Sequence, residues 1–263
     1  MNVNFARMGA RCFGVGLLLV MAMPVAGDAR IPADPLDSAQ WETMYRLFLV
    51  DHPVVFDDEV KVLIAHTAEN SLEVPVMVDA SALVGVKRMI VFADFNPIPK
   101  ILEFEPQQAQ ARIGFRFKVE QATPVRAAVL TEEGRWHVGG NWLDAAGGGC
   151  TLPSVASADP AWTSRLGEIH ARLWPRKDHR RLKFSVLHPM DTGLAAGIPA
   201  FFIESLEVRG SQGEPIATIR PFEPISENPF FTLDILGRGS VSLSGRDNNG
   251  NRFGTDLVSP AAH

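Results

Sequence analysis

Apolar positions along this chain recur at two spacings, and the changes from one to the other mark out its elements. Trp41, Met44, Tyr45 and Phe48 lie three and four apart, which predicts a helix with one apolar stripe. Asp37 or Ser38 can cap it, and it should end before His52-Pro53. From Val60 the period becomes that of strands. Val60–Ala65, Val74–Asp79, Arg88–Asp94, Ile101–Phe104, Arg112–Lys118, Val125–Leu130 and Trp136–Val138 are short runs separated by turn residues. Arg112–Lys118 alternates cleanly, as a strand with one wet face does, and Pro75 suits an edge strand. Trp162, Leu166, Ile169 and Leu173 then return to spacings of four, three and four behind Asp159-Pro160, which predicts a linker helix ending before Pro175. Strand patterning resumes at Leu182–His188, Phe201–Val208, Ile216–Phe222, Phe230–Leu236 and Val241–Gly245, with turns at Gly210–Gly213 and Asp247–Gly250. The expectation is an all-β protein of two β-sandwiches, the second of roughly 80 residues, joined by a helix.

The first residues do not fit this scheme. Arg7 and Arg11 precede an apolar run from Phe13 to Met23, followed by the small residues Val25-Ala26-Gly27. That is the pattern of a secretory signal peptide over residues 1–27, with a mature start near Asp28 and Sec-type export to the periplasm. The run is short for a membrane span, so no membrane association is expected after processing. Removing it takes the formal charge from −5 to −7, because those residues hold Arg7 and Arg11 and no acid. An acidic exported chain is a poor nucleic-acid binder. The cysteine count also changes. Cys12 is lost with the signal and Cys150 is left alone in an oxidising compartment, unable to form an internal disulfide. No Cys-x-x-Cys is present, which argues against a structural zinc site or a thioredoxin-like centre. Neither a metal nor a cofactor is expected.

Cys150 closes the run Gly147-Gly148-Gly149 between the two β-rich halves. Glycine reaches backbone angles other residues avoid, so this stretch reads as a flexible arm with a thiol near its end, exposed and mobile. A glycine-rich linker that merely contains a cysteine is the alternative. A basic cluster, Arg176, Lys177, His179, Arg180, Arg181 and Lys183, follows the linker. It could attract an anion near the arm, or it is a solvated face. His52, His66, His137, His170, His179 and His188 show no ligand spacing, and His188, at the start of a Pro-containing turn, reads as structural.

The second half resembles SoxZ through His188-Pro189-Met190-Asp191-Thr192-Gly193, Ile198–Ile203, Ser226–Phe231 and Asp247–Gly250. The first half is similar to SoxY, more weakly, through Trp41, Val74-Pro75-Val76 and Gly148-Gly149-Cys150. In SoxY the cysteine sits in a Gly-Gly-Cys-Gly-Gly tail at the C-terminus. Here Thr151 and Leu152 replace the trailing glycines and the chain runs on. The whole resembles a SoxY–SoxZ fusion of the type called quinoprotein dehydrogenase-associated SoxYZ-like carrier. The resemblance implies two immunoglobulin-like sandwiches: a SoxY-like domain over 34–145, a cysteine arm over 146–158, a linker helix over 159–179 and a SoxZ-like domain over 180–259. It implies a periplasmic sulfur carrier rather than an enzyme. Cys150 would be the covalent attachment residue and Gly147, Gly148 and Gly149 its tether. Periplasmic redox or hydrolytic enzymes would load and process the adduct. A quinoprotein dehydrogenase system is the further partner that this type suggests, with a cargo linked to alcohol oxidation. The competing reading is a non-covalent scaffold of such a system, with Cys150 incidental; a thiol-dependent enzyme ranks third.

Overall fold

A computed structural model describes Met1, residues 31–154 and residues 160–257, with the backbone alone at 160 and 161. The signal-type segment and mature start (Met1 apart), and the expected cap Asp159, lie outside the described residues. The described residues from Ile31 onward form one compact unit.

The first helix, α1 (Trp41–Phe48), forms where the apolar stripe predicts it, with Trp41, Met44 and Tyr45 buried. Its cap differs from expectation. Gln40 holds the N-cap position without a side-chain bond. Asp34 instead accepts from the amides of Leu36 and Ser38, while Ser38 Oγ accepts from Gln40 N.

The strands in chain order are β1 (Val54–Phe56), β2 (Lys61–Ile64), β3 (Val74–Asp79), β4 (Val86–Ala93), β5 (Lys100–Glu105), β6 (Ala109–Phe117), β7 (Thr123–Thr131) and β8 (Trp136–Leu143). After the cysteine stretch come β9 (Ile169–Pro175), β10 (Arg180–Val186), β11 (Ile203–Gly210), β12 (Pro215–Pro221), β13 (Phe230–Ile235), β14 (Val241–Asp247) and β15 (Arg252–Leu257). The fold is all-β and immunoglobulin-like, as expected.

The linker helix is not there. Among the described residues of the linker, helical turns are confined to a 3₁₀ stretch at Pro160–Arg165, and Ile169–Pro175 is strand β9, paired antiparallel with β10. Ile169, Ala171 and Leu173 alternate inward onto the core, a period of two that the sequence carries beside the helical one. Pairing with β10 decides between them. Pro75 is a second correction. Strand β3 lies between β2 and β6, not at an edge, but β2 stops at the pair Ile64↔Val76. The ring therefore sits just past the last rung, where no amide is required.

The halves do not form separate sandwiches. One layer has nine strands in the order β1-β8-β7-β4-β5-β12-β11-β14-β15, and the other six in the order β2-β3-β6-β13-β10-β9. The halves meet in both layers, β5 against β12 and β6 against β13, antiparallel each time. A single apolar core runs between the layers and takes Phe104, Ile113 and Phe117 from the first half with Phe184, Ile219 and Phe231 from the second. A smaller cluster lies on the other face of the nine-stranded layer. There α1 covers Ile90, Phe92, Ala128 and Trp136, which is why β4 is buried on both faces.

The segment leading to α1 is held by a buried ionic network. Arg126 on β7 is 1% exposed. It donates to both oxygens of Asp34 at 2.8 and 2.7 Å and to Asp94 at 3.1 Å, with its guanidinium over the Trp41 ring. Removing one partner of such a set leaves buried charge uncompensated. Arg126→Leu should therefore lower stability by about 3–5 kcal/mol in urea unfolding at neutral pH; a change within ~0.5 kcal/mol would show the network to be dispensable. Cleaving an engineered protease site at Ser157 should leave two fragments that co-elute on a sizing column, because both layers cross the junction. Separate elution would refute that.

Candidate functional site: the seat of Cys150

The seat begins where β6 ends. Its alternation would put Lys118 outward, yet Lys118 is 2% exposed. The chain turns inward after Phe117 because both its edges are taken: Lys118 N donates to Pro224 O and Val119 N to Ser71 O. Asn96, buried in the β4–β5 loop, then fixes the next two residues. Its Nδ2 donates to Lys118 O at 2.9 Å and its Oδ1 accepts from Glu120 N at 3.0 Å.

The glycine–cysteine stretch lies against this segment as a short backbone ladder. Gly148 N donates to Glu120 O at 3.2 Å and Gly149 N to Val119 O at 3.0 Å. Cys150 N donates to Glu120 Oε2 at 3.0 Å, and its Sγ points a weak bond at Lys118 O, 3.5 Å away. Gly147 and Gly149 serve close approach here, whereas a Cβ on Gly148 would meet nothing within 4 Å. A Cβ on Gly149 would stand 2.1 Å from Ser71 O and 2.6 Å from Val119 O, and one on Gly147, whose φ is +100°, would stand 2.5 Å from Glu120 O.

The other wall is the loop His188–Gly193. Thr192 Oγ1 donates to Cys150 O at 2.6 Å. Asp191 accepts from Ser154 N at 2.9 Å and from Ser154 Oγ at 3.2 Å, and Lys118 Nζ donates to Met190 O. This loop is itself built tightly. Met190 stands at φ +52°, and its amide donates to His188 Nδ1 at 3.1 Å. His188 N donates to Asn228 Oδ1 while its carbonyl accepts from Asn228 N, and Asp191 pairs with Phe201.

The sequence predicts an exposed, swinging thiol; the structure holds Cys150 at 1% exposure, docked by residues from both halves. Burial, with the Glu120 carboxylate beside it, pushes the thiol from 9.0 up to about 12, against the opposing pull of Lys118. The docked sulfur is a neutral thiol. Burial lowers the Lys118 ammonium, with Asp191, Cys150 and Glu227 working the other way. Burial also lowers His188 to about 4, opposed chiefly by Asp247, whose carboxylate lies 3.6 Å from Nε2.

Of the sequence candidates, Cys150 and Gly147–Gly149 come together here, and His188 shapes the wall, a structural role. The basic cluster does not approach the seat. Arg180 stands at the start of β10, about 20 Å along the strand from Val186, its last residue before the His188 loop. Sequence reasoning misses Asn96, Lys118, Glu120, Asp191 and Thr192. Asp191 and Thr192 stand within the His188–Gly193 motif, which is the signal that could have found them. No helix among the described residues is long and apolar enough to cross a membrane.

The sulfur oxidation protein SoxY family matches residues 45–150, and the sulphur oxidation protein SoxZ family matches residues 174–257. The chain is a SoxY–SoxZ fusion. The SoxY match ends on Cys150, and the wall that receives it belongs to the SoxZ part. No curated protein matches the chain. Among solved structures, the sulfur carrier protein SoxY from Chlorobium limicola f thiosulfatophilum is similar at 16% identity, covering 40% of this chain and 94% of that one, with a TM-score of 0.35. A β-glucuronidase from Parabacteroides merdae is similar at 9% identity with a TM-score of 0.21; the match covers 79% of this chain and 23% of the glucuronidase. SoxY and SoxZ proteins are carriers that work with partner enzymes of sulfur oxidation.

The seat makes two measurements decisive. A shift from 9.0 to about 12 cuts the thiolate fraction roughly 1000-fold. Alkylation of Cys150 at pH 8 should then be at least ~100-fold slower in the native protein than in denaturant; equal rates would mean the arm is not docked in solution. His188 gives the second. Its folded value of about 4 lies below the ordinary 6.5, so between these pH values the unfolded chain binds the extra proton. Its contribution is complete above 6.5, falls as pH drops through the window and levels off below about 4. His188→Asn, which offers Oδ1 in place of Nδ1, should remove up to about 3 kcal/mol of the stability loss between pH 7 and pH 4. Identical pH slopes for variant and wild type in urea unfolding would rule this out.

Proposed function

We propose that this protein is a periplasmic carrier that holds a sulfur-bound intermediate covalently on Cys150 and presents it to partner enzymes, with the docked arm as its resting state. The observation that supports this best is the seating of Cys150, at the end of the SoxY match, by the His188–Gly193 loop of the SoxZ part. The docked thiol is inert at neutral pH. Released into water, a thiol of ordinary pKa is a few per cent thiolate, enough for a partner to load. Joining that sulfur to a second sulfur makes an S–S bond, loses the thiol proton and gives up two electrons. A redox partner must accept them, and a hydrolytic partner can then process what is attached. Export to the periplasm agrees with the signal-type N-terminus and with the general location of Sox proteins.

Undocking is built into the same geometry. The seat accepts a neutral S–H at Lys118 O and sets the Glu120 carboxylate beside it. An anionic adduct has no hydrogen to donate and meets that carboxylate, so loading favours release of the arm. Quinoprotein dehydrogenases remain the partner class that this fused type suggests. The scaffold reading is kept in view by one observation: a cysteine 1% exposed behaves chemically like a packing residue.

Intact-mass measurement of protein from its native host, with and without reductant, tests the carrier reading. A reductant-labile mass increment on wild type that Cys150→Ser lacks, together with loss of pathway flux, is the expected result. Full flux in the Cys150→Ser strain would favour the scaffold. Gly149→Ala should prevent docking and bring alkylation within ~10-fold of the denatured rate, whereas Thr192→Val, which removes one hydrogen bond, should speed it about 5- to 10-fold. No change in either variant would mean that these contacts do not hold the arm.

A further inference from the structure

The outer face of the six-stranded layer has no helix over it among the described residues; α1 covers the other layer. Strand register places its side chains. One row crosses all six strands, with Leu63, Met77, Gly114, Thr232, Lys183 and Arg172 as successive partners. They point outward, because their chain neighbours Val76, Ile113, Phe231 and Phe184 fill the core.

The end of the face towards β2 is apolar. Leu63 is 52% exposed, and with Pro75, Met77 and Phe230 it lines a shallow groove of about 440 Å³. Gly114 belongs to that groove, and a Cβ on it would stand 2.7 Å from Met77 Cε. The end towards β9 is basic. Lys183 and Arg172 are direct cross-strand partners, and neither forms an ion pair among the described residues. Like charges in register are destabilising on their own, so this pair calls for an anion outside. At the outward positions of the six strands, Lys61, Arg112, Arg116, Arg172, Arg181 and Lys183 outnumber Asp79 and Asp234, in a chain of formal charge −5. On the other layer Arg209, Arg220 and Arg246 each hold a glutamate.

The seat of Cys150 forms one margin of this face. Strands β6 and β10 end at Phe117 and Val186, just before Lys118 and His188, and β3 and β13 begin at Val74 and Phe230, just after Ser71 and Asn228. Whatever lies on the face has an edge beside the sulfur.

We propose that this face docks an acidic protein, whose carboxylates meet the β9–β10 end and whose apolar side chains enter the groove at the β2 end. What that partner does there rests on the carrier reading; that it binds does not. The face is about 24 Å across the strands and about 13 Å along them, the scale of a transient encounter rather than a permanent complex. An anionic membrane fits it less well, because Asp79 and Asp234 stand among the cations, a mixed pattern that a shaped protein surface can match and a uniform one cannot.

A photo-crosslinking residue at Met77 in the native host, with one at Ser244 on the outer face of the other layer as control, identifies the partner. The protein joined from position 77 and not from 244 is then purified, and its affinity for the full chain is measured from about 20 to 300 mM sodium chloride. It should be acidic, and its binding should weaken at least ~10-fold over that range. Arg172→Glu with Lys183→Glu should weaken binding at least ~10-fold at low salt, and Arg172→Gln with Lys183→Gln about threefold. Arg209→Glu with Arg246→Glu should bind like wild type. So should Cys150→Ser, so full flux in the Cys150→Ser strain would remove the carrier reading and leave the docking result standing. The proposal is overturned by the absence of a partner specific to position 77, by cross-linking to a second copy of this chain, by affinity indifferent to salt, or by undiminished affinity in the charge-reversed variant. Co-sedimentation of wild type, but not the charge-reversed variant, with phosphatidylglycerol vesicles would also overturn it, in favour of a membrane. Should the charge-reversed variant fail to fold, the glutamine variant decides, and affinity equal to wild type overturns the proposal.

Discussion

Everything in this molecule depends on what is done with four strand edges. A sheet edge presents unpaired amides and carbonyls, and the SoxY part alone would leave β5 and β6 open. The SoxZ part closes them with β12 and β13, one in each layer. Once the edges are paired, the space between the layers becomes one apolar core, and the two parts lose their separateness. The same pairing fixes where loops fall. The end of β6 delivers Lys118 and Glu120 beside the loop that leaves β10, so the seat for Cys150 is a by-product of strand register.

The seat sets two properties of a carrier against each other. A thiol that must accept cargo needs to ionise, whereas a thiol that must survive an oxidising compartment does better neutral and covered. Burial and the Glu120 carboxylate outweigh Lys118 here, so on the carrier reading proposed above the docked state is protective and reactivity belongs to a released state. Among the described residues, the arm is held by the ladder to Val119 and Glu120, the Glu120 carboxylate, the Thr192 hydroxyl and the Asp191 carboxylate. Net contributions of roughly 1 kcal/mol each suit a closure that is tight at rest yet open to a partner.

The sequence carries the strands well, because their alternation is enforced by a core on one face. It carries α1 for the same reason. It misleads at Ile169–Pro175, where spacings of three, four and two coexist and only pairing with β10 chooses. It misleads again at Cys150. Three glycines suggest freedom, but Gly149 is glycine because two carbonyl oxygens leave no room for a Cβ. Local composition cannot tell a hinge from a close fit, since the neighbour, Ser71, is almost eighty residues away in sequence. Lys118 is invisible for a related reason. It follows an outward-facing rhythm and is buried by contacts to Pro224 and Met190, both in the other half.

On the carrier reading proposed above, the fusion also limits how far the sulfur can travel. An arm with a free end can be threaded into a tunnel; one anchored on both sides must enter as a doubled strand. Seven residues lead from Leu143, the last of β8, to Cys150. Fully extended they span at most about 25 Å. Any enzyme acting on the sulfur must therefore offer an open cleft wide enough for two passes of chain, and must come close to the rim of the nine-stranded layer.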